Sequence, residues 1–151
     1  MDLDNDKLDF GALPQEIDHL LQQGVASHFT APDAAEASFR AAIALDPSAL
    51  PAYRCLVKHQ NRQRQFDAAL QTVHAWLGEA SRQAGLDTDW QNWTTAPATA
   101  LAALKALAFI ELRSGRPDAA ATALAILQKL DPADGLGGSV IAALLPEAET
   151  A

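Results

Sequence analysis

Arg54, Lys58 and Arg62 recur at four-residue spacing, with Asn61 beside the last of them. On a helix this spacing sets three cations on one stripe, a turn apart. Residues 50–66 also contain Arg64 and hold no acid, although 11 Lys+Arg against 19 Asp+Glu leave the whole chain at −8. Like charges one turn apart oppose each other. Such a stripe is either a solvated face balanced by acids across a turn, Asp67 and Glu111 among them, or a site for an anionic partner, and a concave surface would focus its field. We read it as a partner site.

Other chemistry is thinner. Cys55 and His59 stand at i, i+4, a spacing that can put two ligands on one metal. Cys55 is the one cysteine, and His19, His28 and His74 fall on other segments. No metal and no cofactor is therefore expected, and a disulfide framework is excluded. No nucleophile–base arrangement and no phosphate loop after a strand stands out, so no catalytic residue is assigned and the chain is not read as an enzyme. Gly135-Leu136-Gly137-Gly138 opens a short helix and is read as capping in preference to an anion cradle. Trp90 and Trp93, three apart in a polar stretch, are candidates for a secondary partner contact; the competing reading, which the habits of tryptophan favour, folds them back as core. Trp76 is expected in the core.

The elements that must position these groups are helices. Alanine and leucine dominate the 151 residues, and no window alternates apolar with polar residues. Pro14, Pro32, Pro97 and Pro117 each precede an apolar-periodic run, while Pro47 and Pro132 close one. The pattern predicts helices over 14–28, 32–45, 49–62, 66–84, 97–114, 117–130 and 138–145. An acidic, disordered tail is expected over 1–10, a single domain over 11–145, a loop over 85–96, and a frayed end over 146–151. The tail carries Asp2, Asp4, Asp6 and Asp9 against Lys7 alone. It is either a solubilising tail or a placeholder lying in the basic stripe. An acidic chain argues against nucleic acid or an anionic membrane as partner. With no apolar leader and no uninterrupted apolar span, the expected location is cytoplasmic.

The helices repeat. Asp33 to Pro47 and Asp118 to Pro132 agree at six of fifteen positions, including both Leu-Asp-Pro ends, and Asp67-Ala68-Ala69-Leu70 begins a third copy. Leu56 to Ala69 and Leu107 to Ala120 are both thirteen apart. Tyr53, Leu56, Ala69 and Val73 in the middle copy, and Leu104, Leu107, Ala108, Gly115, Ala120, Leu124 and Pro132 in the last, resemble the tetratricopeptide repeat, a helix–turn–helix unit of about 34 residues. The resemblance covers roughly 14–132, as repeats at 14–47, 49–84 and 97–132. It implies an all-α, short right-handed superhelix of three repeats, closed by a capping helix at 138–145. Ser81 stands where the middle unit would have its proline, so the helix there should run on by a turn or two into the 85–96 insertion.

In this family the first helix of each repeat lines the concave face. The resemblance therefore extends the partner groove from Arg54, Lys58, Asn61 and Arg62 to Lys105, Phe109 and Arg113. In the first repeat the matching positions are Leu20, Gly24 and His28. A Lys/Asn/Arg clamp for a peptide carboxylate is not reproduced, because Leu20 and Gly24 replace its first members. The implied function is non-catalytic protein–protein interaction: an adaptor or assembly chaperone docking an acidic or amphipathic segment. A self-associating structural protein and a type III secretion-like chaperone are the alternatives, and the oligomeric state is open. The stretches Tyr53–Leu56, Arg62–Asp67, Ala84 to Trp90 and Leu104–Phe109 to Val140 are also similar to small tetratricopeptide proteins that accompany bacterial nitrogen-fixation genes. That similarity implies an accessory role there.

Overall fold

The computed structural model describes residues 8–150, with side chains as far as Pro146. The expected acidic tail lies outside the described residues as far as Lys7; its last residues, Leu8–Phe10, are described and pack on the first helix. Among the described residues there are seven α-helices and no strand: α1 Gln15–Ser27, α2 Pro32–Leu45, α3 Leu50–Arg62, α4 Phe66–Ala84, α5 Ala98–Arg113, α6 Pro117–Leu130 and α7 Gly138–Thr150. The protein is all-α, as composition and proline spacing predict. None of these helices is long and apolar enough to cross a membrane.

Proline sets the starts. Pro32, Pro51 and Pro117 occupy the first turns of α2, α3 and α6, where a missing N–H costs nothing and the fixed φ suits a helix. The ends share geometry too. At the foot of α3, Gln63, Arg64 and Gln65 donate their N–H groups to His59, Asn61 and Gln60; at the foot of α5, Ser114, Gly115 and Arg116 donate to Ile110, Leu112 and Glu111. Each partner pair has the same offset. The left-handed residue that closes the turn is Gly115 in one and Arg64, at φ 58°, in the other. The Leu-Asp-Pro ends of α2 and α6 match likewise, Asp46 N–H donating to Ala42 and Asp131 N–H to Leu127.

Consecutive helices pack on one another throughout: α1 on α2, α3 on α4, α5 on α6, with α2 on α3, α4 on α5, and α7 on α6 and α5. Two apolar clusters result. One gathers Ile17 and Leu21 of α1, Ala35, Phe39 and Ala42 of α2, and Ala52, Cys55 and Leu56 of α3. The larger runs from Tyr53 and Val57, on another face of α3, through α4, α5 and α6 to Ile141 of α7. Helix α3 is thus the shared wall.

α4 has nineteen residues where α2 and α6 have fourteen. Its added turns are tied down by Gln83, whose Nε2 donates to the carbonyl of Ser48 at 2.7 Å, and they end on Gly85 at φ 66°. The 85–96 stretch contains one 3-10 turn, Trp90–Asn92. At the other end α7 runs past the expected 138–145 and continues through Pro146 to Thr150. Pro146 removes one backbone donor from the helix, but the residues after it are Glu147, Ala148 and Glu149, all strong helix formers.

Candidate functional site

A cleft of about 530 Å3 opens along α3, between the end of α1 and the start of α5. Arg54, Lys58 and Arg62 form one edge. Val25, Phe29, Phe39, Leu50, Trp76 and Ala102 supply the apolar walls. The stripe exists because α3 buries Tyr53, Leu56, Val57 and Gln60 and so turns residues 54, 58 and 62 outward.

The three cations make no ion pair within 4 Å among the described residues. Glu111 and Asp67, the acids best placed by sequence to balance them, approach Arg116 instead, each at 3.7 Å. Lys58 is held below the usual lysine range, first by burial and then by the like charges of Arg54, Arg62 and Lys105, against a small opposing pull from Cys55. A carboxylate entering the cleft would relieve that repulsion.

Three of the seven groove residues expected from sequence therefore line the cleft. The other four do not. Lys105 is half-buried and near enough to press on Lys58, but lies outside the wall. Asn61 is half-buried, its Oδ1 without a donor among the described residues. Phe109 turns into the large apolar cluster. Arg113 stacks its guanidinium over the ring of Phe66, 5.3 Å from the centroid, a cation–π contact that draws it toward the α3–α4 turn. The two tryptophans of the 85–96 stretch face inward. Trp93 is 4% exposed, with its Nε1 donating to the carbonyl of Asp87 at 2.8 Å, and Trp90 packs half-buried on the same cluster. A tryptophan satisfied by its own loop is core.

Sequence reasoning passed over several cleft residues. Trp76 is in the core as expected, yet it also walls the cleft, and its buried Nε1–H finds no acceptor among the described residues. Phe29 stands at the rim, 85% exposed. His59, noted beside Cys55 for its metal-like spacing, pairs instead with His28: their Nδ1 atoms are 2.6 Å apart, with Phe29 and Phe39 against the rings. One Nδ1 must carry the proton and the other accept it. His28 sits at the groove position that register assigned it, which was the available signal. Burial pushes the Cys55 thiol up to about 11, against the pull of Lys58 and Arg54, so it remains a thiol. No cluster of three potential metal ligands occurs among the described residues. The glycine-rich stretch before α7 is filled from within, as the Asp131 carboxylate accepts from the N–H groups of Gly135 and Leu136.

The histidine pair has a consequence for stability. Burial lowers the pKa of both imidazoles; His59 and then Arg62 lower that of His28 further, while Glu36, the Pro32 backbone and Asp33 partly restore that of His59 against Arg62. Below the ordinary value of 6.5 the unfolded chain thus binds more protons than the native one, and stability falls as the pH drops. The urea midpoint should decline as the pH is lowered through the ordinary histidine value of 6.5. His28→Phe should flatten that decline; an unchanged slope would show that the pair is not its source.

No protein-family model, no curated protein and no solved structure matches this chain. What the cleft can do rests on its own chemistry: an apolar trough and a cationic edge without an ion pair among the described residues.

Proposed function

We propose that the protein is a non-catalytic interaction module, an adaptor or assembly chaperone built from three stacked tetratricopeptide-like hairpins with α7 as cap. It holds an acidic, amphipathic segment of another protein in the cleft along α3. The observation that carries this reading is the stripe of Arg54, Lys58 and Arg62, which makes no ion pair within 4 Å among the described residues and stands at the edge of an apolar trough. The cations steer and orient the segment, and the apolar walls supply contact area. The repeat assignment is supported by the matched turns after α3 and α5 and by the neighbour-on-neighbour packing of the helices.

The test is a paired capture from host lysate. One bait is the intact chain, and the other carries Arg54→Glu, Lys58→Glu and Arg62→Glu with its helicity verified by circular dichroism. A partner held by the first should be lost from the second, as expected when charges at a docking edge are reversed. A partner retained by both baits would move the site off α3. The narrower resemblance would place that partner among nitrogen-fixation proteins, and its identity by mass spectrometry decides this.

A further inference from the structure

Part of the cleft wall is supplied by the N-terminal segment of the chain itself. Leu8, Asp9 and Phe10 belong to its wall, together with Arg54, Lys58 and Arg62. The segment is held through its backbone: the Leu8 N–H donates to Gln22 Oε1 at 3.2 Å, and Gln22 Nε2 donates to the Leu8 carbonyl at 2.6 Å. One side-chain amide thus grips the N–H and the C=O of a single residue. This requires both groups to point to the same side, as they do in an extended chain. Such a grip reads main chain and ignores side-chain identity, which is how a groove accepts a strand from elsewhere. The side chains are only loosely engaged, Leu8 being 50% exposed and Phe10 half-buried against the small cluster.

The chemistry of this segment is what the cleft calls for. It alternates acid and apolar residue, as Leu8-Asp9-Phe10, and the same alternation appears upstream as Asp2-Leu3-Asp4. We propose that Leu8–Phe10 is a replaceable occupant, and that the partner is an extended segment of the same chemistry, alternating carboxylates with large apolar side chains, which displaces it and takes over the Gln22 amide. This rests on the reading of the cleft as a docking site. An internal occupant lowers apparent affinity by the fraction of time the cleft is closed, so weakening it must tighten binding from outside.

The probe is a fluorescein-labelled peptide with the sequence of residues 1–12, measured by anisotropy against the full-length chain. Binding to the unchanged chain should be weak. Leu8→Ser with Phe10→Ser in the protein should tighten it about tenfold, the gain from freeing a cleft closed about nine-tenths of the time. Adding Gln22→Ala to that background should reverse the gain, because the amide grips either segment. A peptide with its aspartates changed to lysine should not bind. If the double variant loses helicity, Leu8→Ser alone carries the test, since that side chain is half exposed. Unchanged affinity after the serine substitutions overturns the proposal. If Arg54→Glu, Lys58→Glu and Arg62→Glu still abolish binding in that case, the docking cleft survives and only its internal occupant falls. If those reversals have no effect either, or no variant binds, both fall.

Discussion

Trp93→Ala should destabilise the protein by about 3–5 kcal/mol, the range for removing a large aromatic side chain from a core. The side chain is 4% exposed and lies in the large cluster with Trp76 of α4 and Leu101 and Leu104 of α5. Its loss empties space between α4 and α5 that the surrounding helices can refill only in part. It also strips the Asp87 carbonyl of its donor and frees the loop that carries it. Native domains are stable by only about 5–15 kcal/mol, so much of the total is at stake. In thermal unfolding the midpoint should fall by roughly 6–20 °C. Trp93→Phe separates the two contributions: it keeps most of the ring and removes the indole N–H, at a cost of about 1–2 kcal/mol. Denaturant titration followed by circular dichroism measures both. A Trp93→Ala protein as stable as its parent would mean that the insertion is an appendage.

Gly24→Val should also be costly, by about 1–3 kcal/mol or more, although valine is the better helix former by a few tenths. A Cβ at residue 24 would sit 2.3 Å from Phe39 Cε1 and 2.6 Å from Cζ. Phe39 is 2% exposed and holds α1 to α2. Its ring is also a wall of the cleft, so the room to retreat lies toward that space. Gly78 provides the contrast. It is exposed within α4 and nothing stands within 4 Å of its missing Cβ. Gly78→Ala should stabilise by about 0.5–1 kcal/mol, the ordinary helix-interior gain. Opposite signs for the two substitutions, read as denaturation midpoints, would confirm that residue 24 is a contact and residue 78 is not. A Gly24→Val protein at least as stable as its parent would refute the close approach.

The architecture was legible because its punctuation is local. Proline in a first turn, Leu-Asp-Pro at a last turn and the alanine–leucine period each act within a few residues. The exception was α7, where Pro146 outweighed the helix formers that follow it. The cleft was legible only in part, for a physical reason. That Arg54, Lys58 and Arg62 share a stripe follows from helical geometry alone. Which neighbours meet that stripe depends on contacts distant in sequence: His28 on His59, Arg113 on Phe66, Gln22 on Leu8. Register placed Arg113 in the groove, but an aromatic ring forty-seven residues earlier competes for its guanidinium. Asp67 and Glu111 were named as counter-ions for the stripe, and Arg116 engages them first.

Helix α3 offers one face to the small cluster and another to the large one. The apolar interior of the described residues thus falls into two clusters of unequal size that share this helix. The α1–α2 block has the fewer apolar contacts and should open at a lower free energy than the rest. The cleft straddles that seam, with His28 and Phe39 on one side and Trp76 and Ala102 on the other. A segment bound there works as a fastener: it is lost whenever the smaller block opens, and while present it makes the two blocks open together. Affinity for such a segment and the local stability of the α1–α2 block at its seam with α3 are, in this arrangement, one linked quantity.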